Sequence, residues 1–365
     1  MKLNFTKIAN DLPVTVPFVG PESQERENSF SFNARLGANE SVFGPSKMVM
    51  NAIKARAEEV WQYGDPESFD LLQKLSEFYN LPRDNFIVGE GIDGLLGNLV
   101  RLFIGPGDEV ISSLGAYPTF KYHVDGFGGN ISLVPYNNYY EDLDALIVAV
   151  KKIRAKILYL SNPDNPMGTF HSKELIQDFI ENIPDDTILC LDEAYSDFVN
   201  KDELASINVE QENVIRFRTF SKAYGLAGLR VGYGIGNKKM IKAFNKVRNH
   251  FGVNKLGQIA AEAALGDQDH LKTVLKKVDQ SKRDISELFQ RFGFTSLSSR
   301  TNFVPINSGG DGKFAAKLMS RLIQEKIFVR MPNVSPLNSF IRITAGNHDD
   351  LVVLDHAMNK IIKEI

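Results

Sequence analysis

From residue 86 onward the chain alternates between short β-rich runs and helical stretches, and this alternation constrains the fold more than any other feature. Phe86-Ile87-Val88, Glu109-Val110-Ile111, Lys156 to Leu160, Ile188 to Leu191, Val214 to Phe217 and Arg230 to Tyr233 are such runs, separated mostly by segments with helical spacing. Strands joined through helices run parallel, and a parallel sheet is covered on both faces. The expected fold is therefore α/β, a three-layer, mostly parallel sheet. The stretch 238–290, rich in Lys, Ala, Leu and Gln, reads as helices. Thr301 to Ile365 returns to strand, helix, strand, helix, which suggests a smaller α+β unit. Upstream, Lys47 to Glu59 and Phe69 to Tyr79 have helical spacing on either side of the turn Gly64-Asp65-Pro66. Residues 1–45, with Pro13, Pro17, Pro21 and Pro45, read as an irregular arm.

Composition narrows the function classes. A chain of 365 residues, 43% hydrophobic and 24% charged, can bury one or two substantial cores. A net charge of -3 gives no basic excess for nucleic acid. The single cysteine, Cys190, lies in an apolar run and reads as a buried core residue of an intracellular, cytoplasmic protein. Asn4 to Asn10 is polar and offers no signal-peptide core, and no window reaches the ~18 apolar residues of a membrane span. His123, His171, His250, His270, His348 and His356 form no ligand pattern, so no metal is expected.

Two motifs mislead when read alone. Gly89 to Gly94 matches GxGxxG between a strand and a helix, but the next strand runs into Ser112-Ser113-Leu114-Gly115 and ends in no ribose-binding acid. Its physics survives: glycine-rich backbone at a helix N-terminus presents N–H groups to a phosphate. Ile188 to Glu193 resembles a Walker B strand, yet Gly312-Lys313-Phe314 fails the phosphate-loop pattern that a nucleotide triphosphatase also needs. Gly232, Gly234 and Gly236 alternate along a strand, where glycine permits close packing.

Three polar clusters remain, each at the end of an apolar strand, where open α/β sheets bind ligands. They are Ser161-Asn162-Pro163-Asp164-Asn165-Pro166-Met167-Gly168, Asp192-Glu193-Ala194-Tyr195, and Thr219-Phe220-Ser221-Lys222-Ala223-Tyr224-Gly225 running to Arg230. Each alone is weak, since an Asn-Pro turn, an Asp after a strand and a surface Lys are commonplace. Together, with Leu36-Gly37-Ala38-Asn39-Glu40 before them and Ile341-Arg342-Ile343-Thr344-Ala345-Gly346 after, they form one ordered series.

That series resembles the fold-type I pyridoxal-phosphate-dependent aminotransferases, and within them the histidinol-phosphate aminotransferase group, from about Arg35 to Gly346. The resemblance implies pyridoxal 5'-phosphate as cofactor, a large domain over 46–269, a small domain over 1–45 plus 270–365, and a homodimer. It implies that Lys222 anchors the cofactor and then moves the proton at the substrate Cα. Asp192 would pair with the pyridine nitrogen, while Asn165 and Tyr195 would bond the ring oxygen. Thr219, Ser221, Arg230 and the N–H groups of Ile92 and Asp93 would hold the phosphate. Phe120 would stack on the ring, Tyr63 would reach the neighbouring subunit's phosphate, and Arg330 and Arg342, with Asn39, would meet the substrate.

The implied reaction is transamination between histidinol phosphate and 2-oxoglutarate. Alternatives are aromatic or other amino donors, or decarboxylation of a phosphorylated amino acid. The chain departs from the group's pattern at Ser41-Val42-Phe43, Gly94 and Met167, none of which touches the lysine or its partners.

Overall fold

The computed structural model describes residues 3–14 and 19–364, so Pro17 of the expected arm lies outside the described residues. In chain order its strands are β1 (Ala34–Arg35), β2 (Phe86–Glu90), β3 (Glu109–Ser113), β4 (Asn130–Val134), β5 (Ile157–Ser161), β6 (Ile188–Asp192), β7 (Val214–Thr219), β8 (Val231–Gly236), β9 (Thr295–Ser296), β10 (Phe303–Asn307), β11 (Ile327–Phe328) and β12 (Phe340–Thr344). All six runs read as strands are strands. Seven strands form one sheet in the order β2-β8-β7-β6-β5-β3-β4. Five of them, β4, β3, β5, β6 and β7, pair in parallel, and β8 lies antiparallel between β7 and β2.

Period-two alternation divides the core between the two faces. Ile157, Tyr159 and Cys190 pack with Leu95, Leu99 and Phe120 on one side. Leu158, Leu160, Leu189 and Leu191 pack with the helices Leu143–Ile153 and Lys173–Asn182 on the other. Strands β5 and β7 are buried at every position; β5 reads as a nearly continuous apolar run, while β7 carries the buried arginines Arg216 and Arg218. The strand that the sequence hides is β4, an edge strand whose half-exposed pattern carries no such run.

A second core gathers Ala34 and Leu36 with Ile285, Leu318, Ile341, Leu354 and Ile361. It is built on β10, paired antiparallel with β12 and β9, and on β1, which runs parallel to β11 through Ala34↔Ile327 and Arg35↔Phe328. The helix Gln268–Arg291 serves both bodies: Leu271 packs in the cluster of Val49 and Leu71, and Ile285, Leu288 and Phe289 pack in the second core. A division at 269/270 falls inside its first turn.

The arm corrects the expectation of irregular chain, because it holds the short helices Lys7–Asp11 and Pro21–Asn28. Thr6 caps the first by accepting from the Ala9 N–H, and Pro21 opens the second, where a missing N–H costs nothing. Among the described residues no helix is long and apolar enough to cross a membrane.

Candidate active site

The carboxyl ends of β3, β5, β6 and β7 place Ser113, Ser161, Asp192 and Thr219 along one edge of the sheet. At that edge lies a cavity of about 360 Å³. Asn39, Ile92, Asp93, Asn165, Asp192, Tyr195, Thr219, Ser221, Lys222, Arg230, Arg330 and Arg342 all line it, so the structure brings together every candidate except Phe120 and Tyr63.

Lys222 follows β7, and its Nζ donates to the Asn39 carbonyl at 3.2 Å. That carbonyl also accepts from Asn302 Nδ2 at 3.0 Å. Burial lowers the Lys222 pKa to about 8, and the Arg342 and Arg230 charges push the same way. The amine is therefore populated near neutrality, as a nucleophile and proton carrier requires.

Asp192 ends β6. Its Oδ2 accepts from Tyr159 Oη at 2.7 Å and its Oδ1 from the Ala194 N–H at 3.0 Å. Burial raises its pKa to about 6, against the two donors. The next residue, Glu193, is fixed by Arg216 and Arg218 at 2.8 Å each, which clamps the turn that carries Asp192 and Tyr195. Tyr195 Oη accepts from Asn39 Nδ2 at 2.8 Å.

Arg342, on β12, gives its Nη1 to Asn165 Oδ1 and lies over the Phe303 ring at 5.0 Å. Its Nε is buried and finds no hydrogen-bond acceptor among the described residues. Arg330 pairs with it through the backbone, the Arg342 N–H donating to the Arg330 carbonyl at 2.7 Å, and Arg330 Nη2 donates to the Val19 carbonyl of the arm. Two guanidiniums thus line the cavity together, where an anion would find charge-assisted donors.

The cavity also holds donors for a second anion. The helix Gly91–Phe103 points its N-terminus at the cavity, with Ile92 and Asp93 in its first turn. Gly91 has φ +71°, and a Cβ there would stand 2.7 Å from Arg230 Nη2. A Cβ on Gly232 of β8 would meet the Gly91 and Ile92 backbone at 2.8 and 2.9 Å, so this glycine lets the helix start sit directly on the strand. Arg230 Nη2 bonds Asp93 Oδ2 at 3.1 Å, and Tyr117 Oη donates to Asp93 Oδ1 at 2.8 Å.

Phe120 is a correction. It is 1% exposed, outside the cavity, and stacked on Tyr159 with centroids 4.7 Å apart. The aromatic side chains that line the cavity are those of Tyr117, Tyr159 and Tyr195. The sequence held the signal: Tyr117 directly precedes Pro118, which opens the helix Pro118–Gly126, whereas Phe120 and Val124 share that helix's inner face. Tyr159 was also missed. It pairs with Cys190 in register, and Asp192 is two residues on, on the same face, within reach of a phenol. Tyr63 lies outside this chain's own cavity lining, 78% exposed and packed against Phe251 with ring centroids 4.6 Å apart and planes tilted by 31°. Met167 is fully buried against Leu337 and Phe340.

The residues present fit pyridoxal phosphate: a buried lysine of lowered pKa, a carboxylate at one end of a ring-sized space, and N–H, hydroxyl and guanidinium donors for a phosphate at the other. No group of three or more His, Cys, Asp or Glu that could hold a metal occurs among the described residues.

Comparison with known proteins agrees with this geometry. The chain is 34% identical over 344 residues to histidinol-phosphate aminotransferase 2 of Carboxydothermus hydrogenoformans, covering 93% of this chain and 94% of the relative. It is 33% identical over 359 residues to histidinol-phosphate aminotransferase 2 of Hydrogenovibrio crunogenus, covering 97% and 95%. The crystal structure of histidinol-phosphate aminotransferase from Sinorhizobium meliloti in complex with pyridoxal-5'-phosphate superposes with a TM-score of 0.97 at 44% identity, covering 100% of this chain and 98% of that one. The match to the aminotransferase class I and II family spans residues 34–361, and the chain belongs to that family.

Proposed function

We propose that this chain is a pyridoxal-phosphate-dependent aminotransferase whose amino donor is histidinol phosphate and whose acceptor is 2-oxoglutarate. The observation that carries the donor is that two guanidiniums, Arg342 and Arg330, line the cavity that also holds Lys222, where they suit an anionic substrate end. A planar guanidinium takes a phosphate and a carboxylate alike, so one site serves donor and acceptor in turn. The 34% and 44% identities to histidinol-phosphate aminotransferases support the choice.

When bound, pyridoxal phosphate supplies an aldehyde that carries the amino group and a ring that withdraws electrons from the substrate Cα. Lys222 Nζ, desolvated and held by the Asn39 carbonyl, takes and returns the Cα proton. Asp192, kept ionisable by Tyr159 and the Ala194 N–H, holds a proton on the ring nitrogen. Asn165 and Tyr195 orient the ring oxygen, and Thr219, Ser221, Arg230 and the helix start at Ile92 and Asp93 hold the phosphate.

A homodimer acting in the cytoplasm completes the proposal. The exposed Tyr63–Phe251 ring pair, with Trp61 and Val60 also exposed, suits a subunit contact, and a lone buried Cys190 suits a reducing compartment. The test is a panel of amino donors against 2-oxoglutarate. Histidinol phosphate should give the highest kcat/KM, with glutamate formed. Preference for an aromatic amino acid, or carbon dioxide without keto product, overturns the donor assignment.

A further inference from the structure

Two carboxylic acids that the chemistry above does not use lie beneath the loop that carries Asn165. Glu141, in the segment between β4 and the helix Leu143–Ile153, is 1% exposed, and Asp164, immediately before Asn165, is 2% exposed. Ser161 lies between them, with its Oγ 2.8 Å from Glu141 Oε1 and 3.0 Å from Asp164 Oδ1. Each acid also accepts from further donors. Glu141 receives the Ser113 hydroxyl at 2.5 Å and the Ser161 N–H at 2.9 Å, while Asp164 receives the Tyr136 hydroxyl at 2.9 Å and the Met167 N–H at 2.8 Å.

Counting hydrogens decides the protonation state. An ionised carboxylate only accepts, and a serine hydroxyl has one proton to give. With both acids ionised, Ser161 satisfies one and turns a lone pair toward the other. With one proton added the chain closes: a carboxyl O–H donates to Ser161 Oγ, and Ser161 O–H donates to the second carboxylate. We propose that Glu141 and Asp164 hold a single proton between them through Ser161, and that this acid pair positions Asn165 and, through it, the Arg342 guanidinium that receives the substrate's anionic end.

Burial pushes both carboxyls above their ordinary range, and the charge of Asp164 raises Glu141 further. The groups that face the pair are compatible with this. Burial holds the phenols of Tyr136 and Tyr159 well above their usual pKa and that of Tyr195 at about 12, so all three stay protonated while the pair titrates. His171, whose Nε2 lies 2.9 Å from the Glu141 carbonyl, is lowered by burial and neutral. Asp192 stands beside Ser161 in register at the end of β6. Arg342 is the cation that acts on Asp164, and it spends its Nη1 on Asn165 instead of on either acid.

Glu141→Gln and Asp164→Asn each leave one acid, which accepts the Ser161 hydroxyl with no shared proton. The holoenzyme of wild type and of both variants is compared by infrared difference spectroscopy near neutral pH. The wild type should show a protonated-carboxyl stretch, sensitive to deuterium, that disappears in either variant. In kinetics Glu141→Gln should leave kcat within about twofold, while the wild-type KM for the anionic donor, rising by up to about tenfold per pH unit above the pair's titration, becomes flat. Absence of a lost carboxyl band in both variants overturns the shared proton. An unchanged KM–pH profile overturns the positioning role, which a purely structural contact would not give. The positioning role rests on the reading of Arg342 as substrate binder. The band is recorded without substrate, so its failure is separable from failure of the donor assignment, and Asp164→Asn supplies both readouts if Glu141→Gln does not fold.

Discussion

Tyr159 stacks on Phe120 with ring planes 16° apart and hands its phenol hydrogen to Asp192 Oδ2 at 2.7 Å. The aromatic residue that the sequence offered for the ring stack therefore sits one layer deeper, under the tyrosine that addresses the carboxylate. Phe120 comes from the helix Pro118–Gly126 and Tyr159 from β5, and the Tyr159 phenol oxygen reaches Asp192 at the polar edge. The arrangement keeps a carboxylate ionisable in a place where burial opposes its charge.

Tyr159→Phe keeps the stack and removes the donor. A hydrogen bond to a charged group contributes about 1.5–3 kcal/mol, equivalent to roughly 1–2 pH units on Asp192. The burial-raised pKa of about 6 should rise further, so the ionised form is lost at a higher pH. The acid limb of the kcat–pH profile should move upward, and a limb that stays in place shows that Asp192 ionisation does not govern it.

Asp192→Ala should still load the cofactor, because Lys222 and the phosphate donors are intact. Removal of the Cα proton should slow by at least about 10³-fold, near 4 kcal/mol of barrier. Single-turnover rates close to wild type would show that another group protonates the ring nitrogen.

What was legible in the sequence is what local chemistry dictates. Four of the six runs are the interior strands β3, β5, β6 and β7, which have parallel neighbours and are largely apolar, whereas β8 is interior but antiparallel and β2 is an edge strand. The polar clusters after β5, β6 and β7 mark the carboxyl edge. The edge strand Asn130–Val134 and the arm's helices carry weaker signals, one half exposed and the others short and defined by caps. Tyr117, Tyr159 and the Glu141–Ser161–Asp164 contacts depend on which side chains meet across strands and loops. Glu141 and Asp164 are 23 residues apart and touch only through Ser161, a relation that no spacing rule reports.

In the cofactor-free protein Lys222 should titrate near its lowered pKa of about 8. Below that value the ammonium dominates, so capture of pyridoxal phosphate should rise about tenfold per pH unit and level off above it. Arg342→Ala removes a cation that lowers this pKa, and the midpoint should move upward. Borohydride reduction of the loaded wild type should fix the cofactor to Lys222 on peptide mapping, and label on any other lysine refutes the assignment.

Arg342→Ala also tests the substrate end. Loss of one charge-assisted contact, about 1.5–3 kcal/mol, should lower kcat/KM for the phosphorylated donor by about 10- to 150-fold while cofactor binding survives. The unphosphorylated amino alcohol should lose far less. Equal losses for both donors mean that Arg342 does not read the phosphate.

The exposed Tyr63 makes the subunit arrangement testable by mixing variants. Tyr63 stands outside its own chain's cavity lining, and its ring packs at a tilt against Phe251, itself 52% exposed. If it serves the neighbouring subunit's phosphate, Tyr63→Ala should weaken cofactor retention without unfolding the chain, since an exposed side chain contributes little to the core. Lys222→Ala should be inactive for a different reason. In a hybrid of the two variants, the subunit that keeps Lys222 receives Tyr63 from its partner, so one complete site forms per dimer. Cofactor retention and turnover per intact lysine should then return to the wild-type level. A hybrid whose lysine-bearing site stays as weak as the Tyr63→Ala homodimer places Tyr63 outside the neighbouring site, and the dimer then has no catalytic need of this contact.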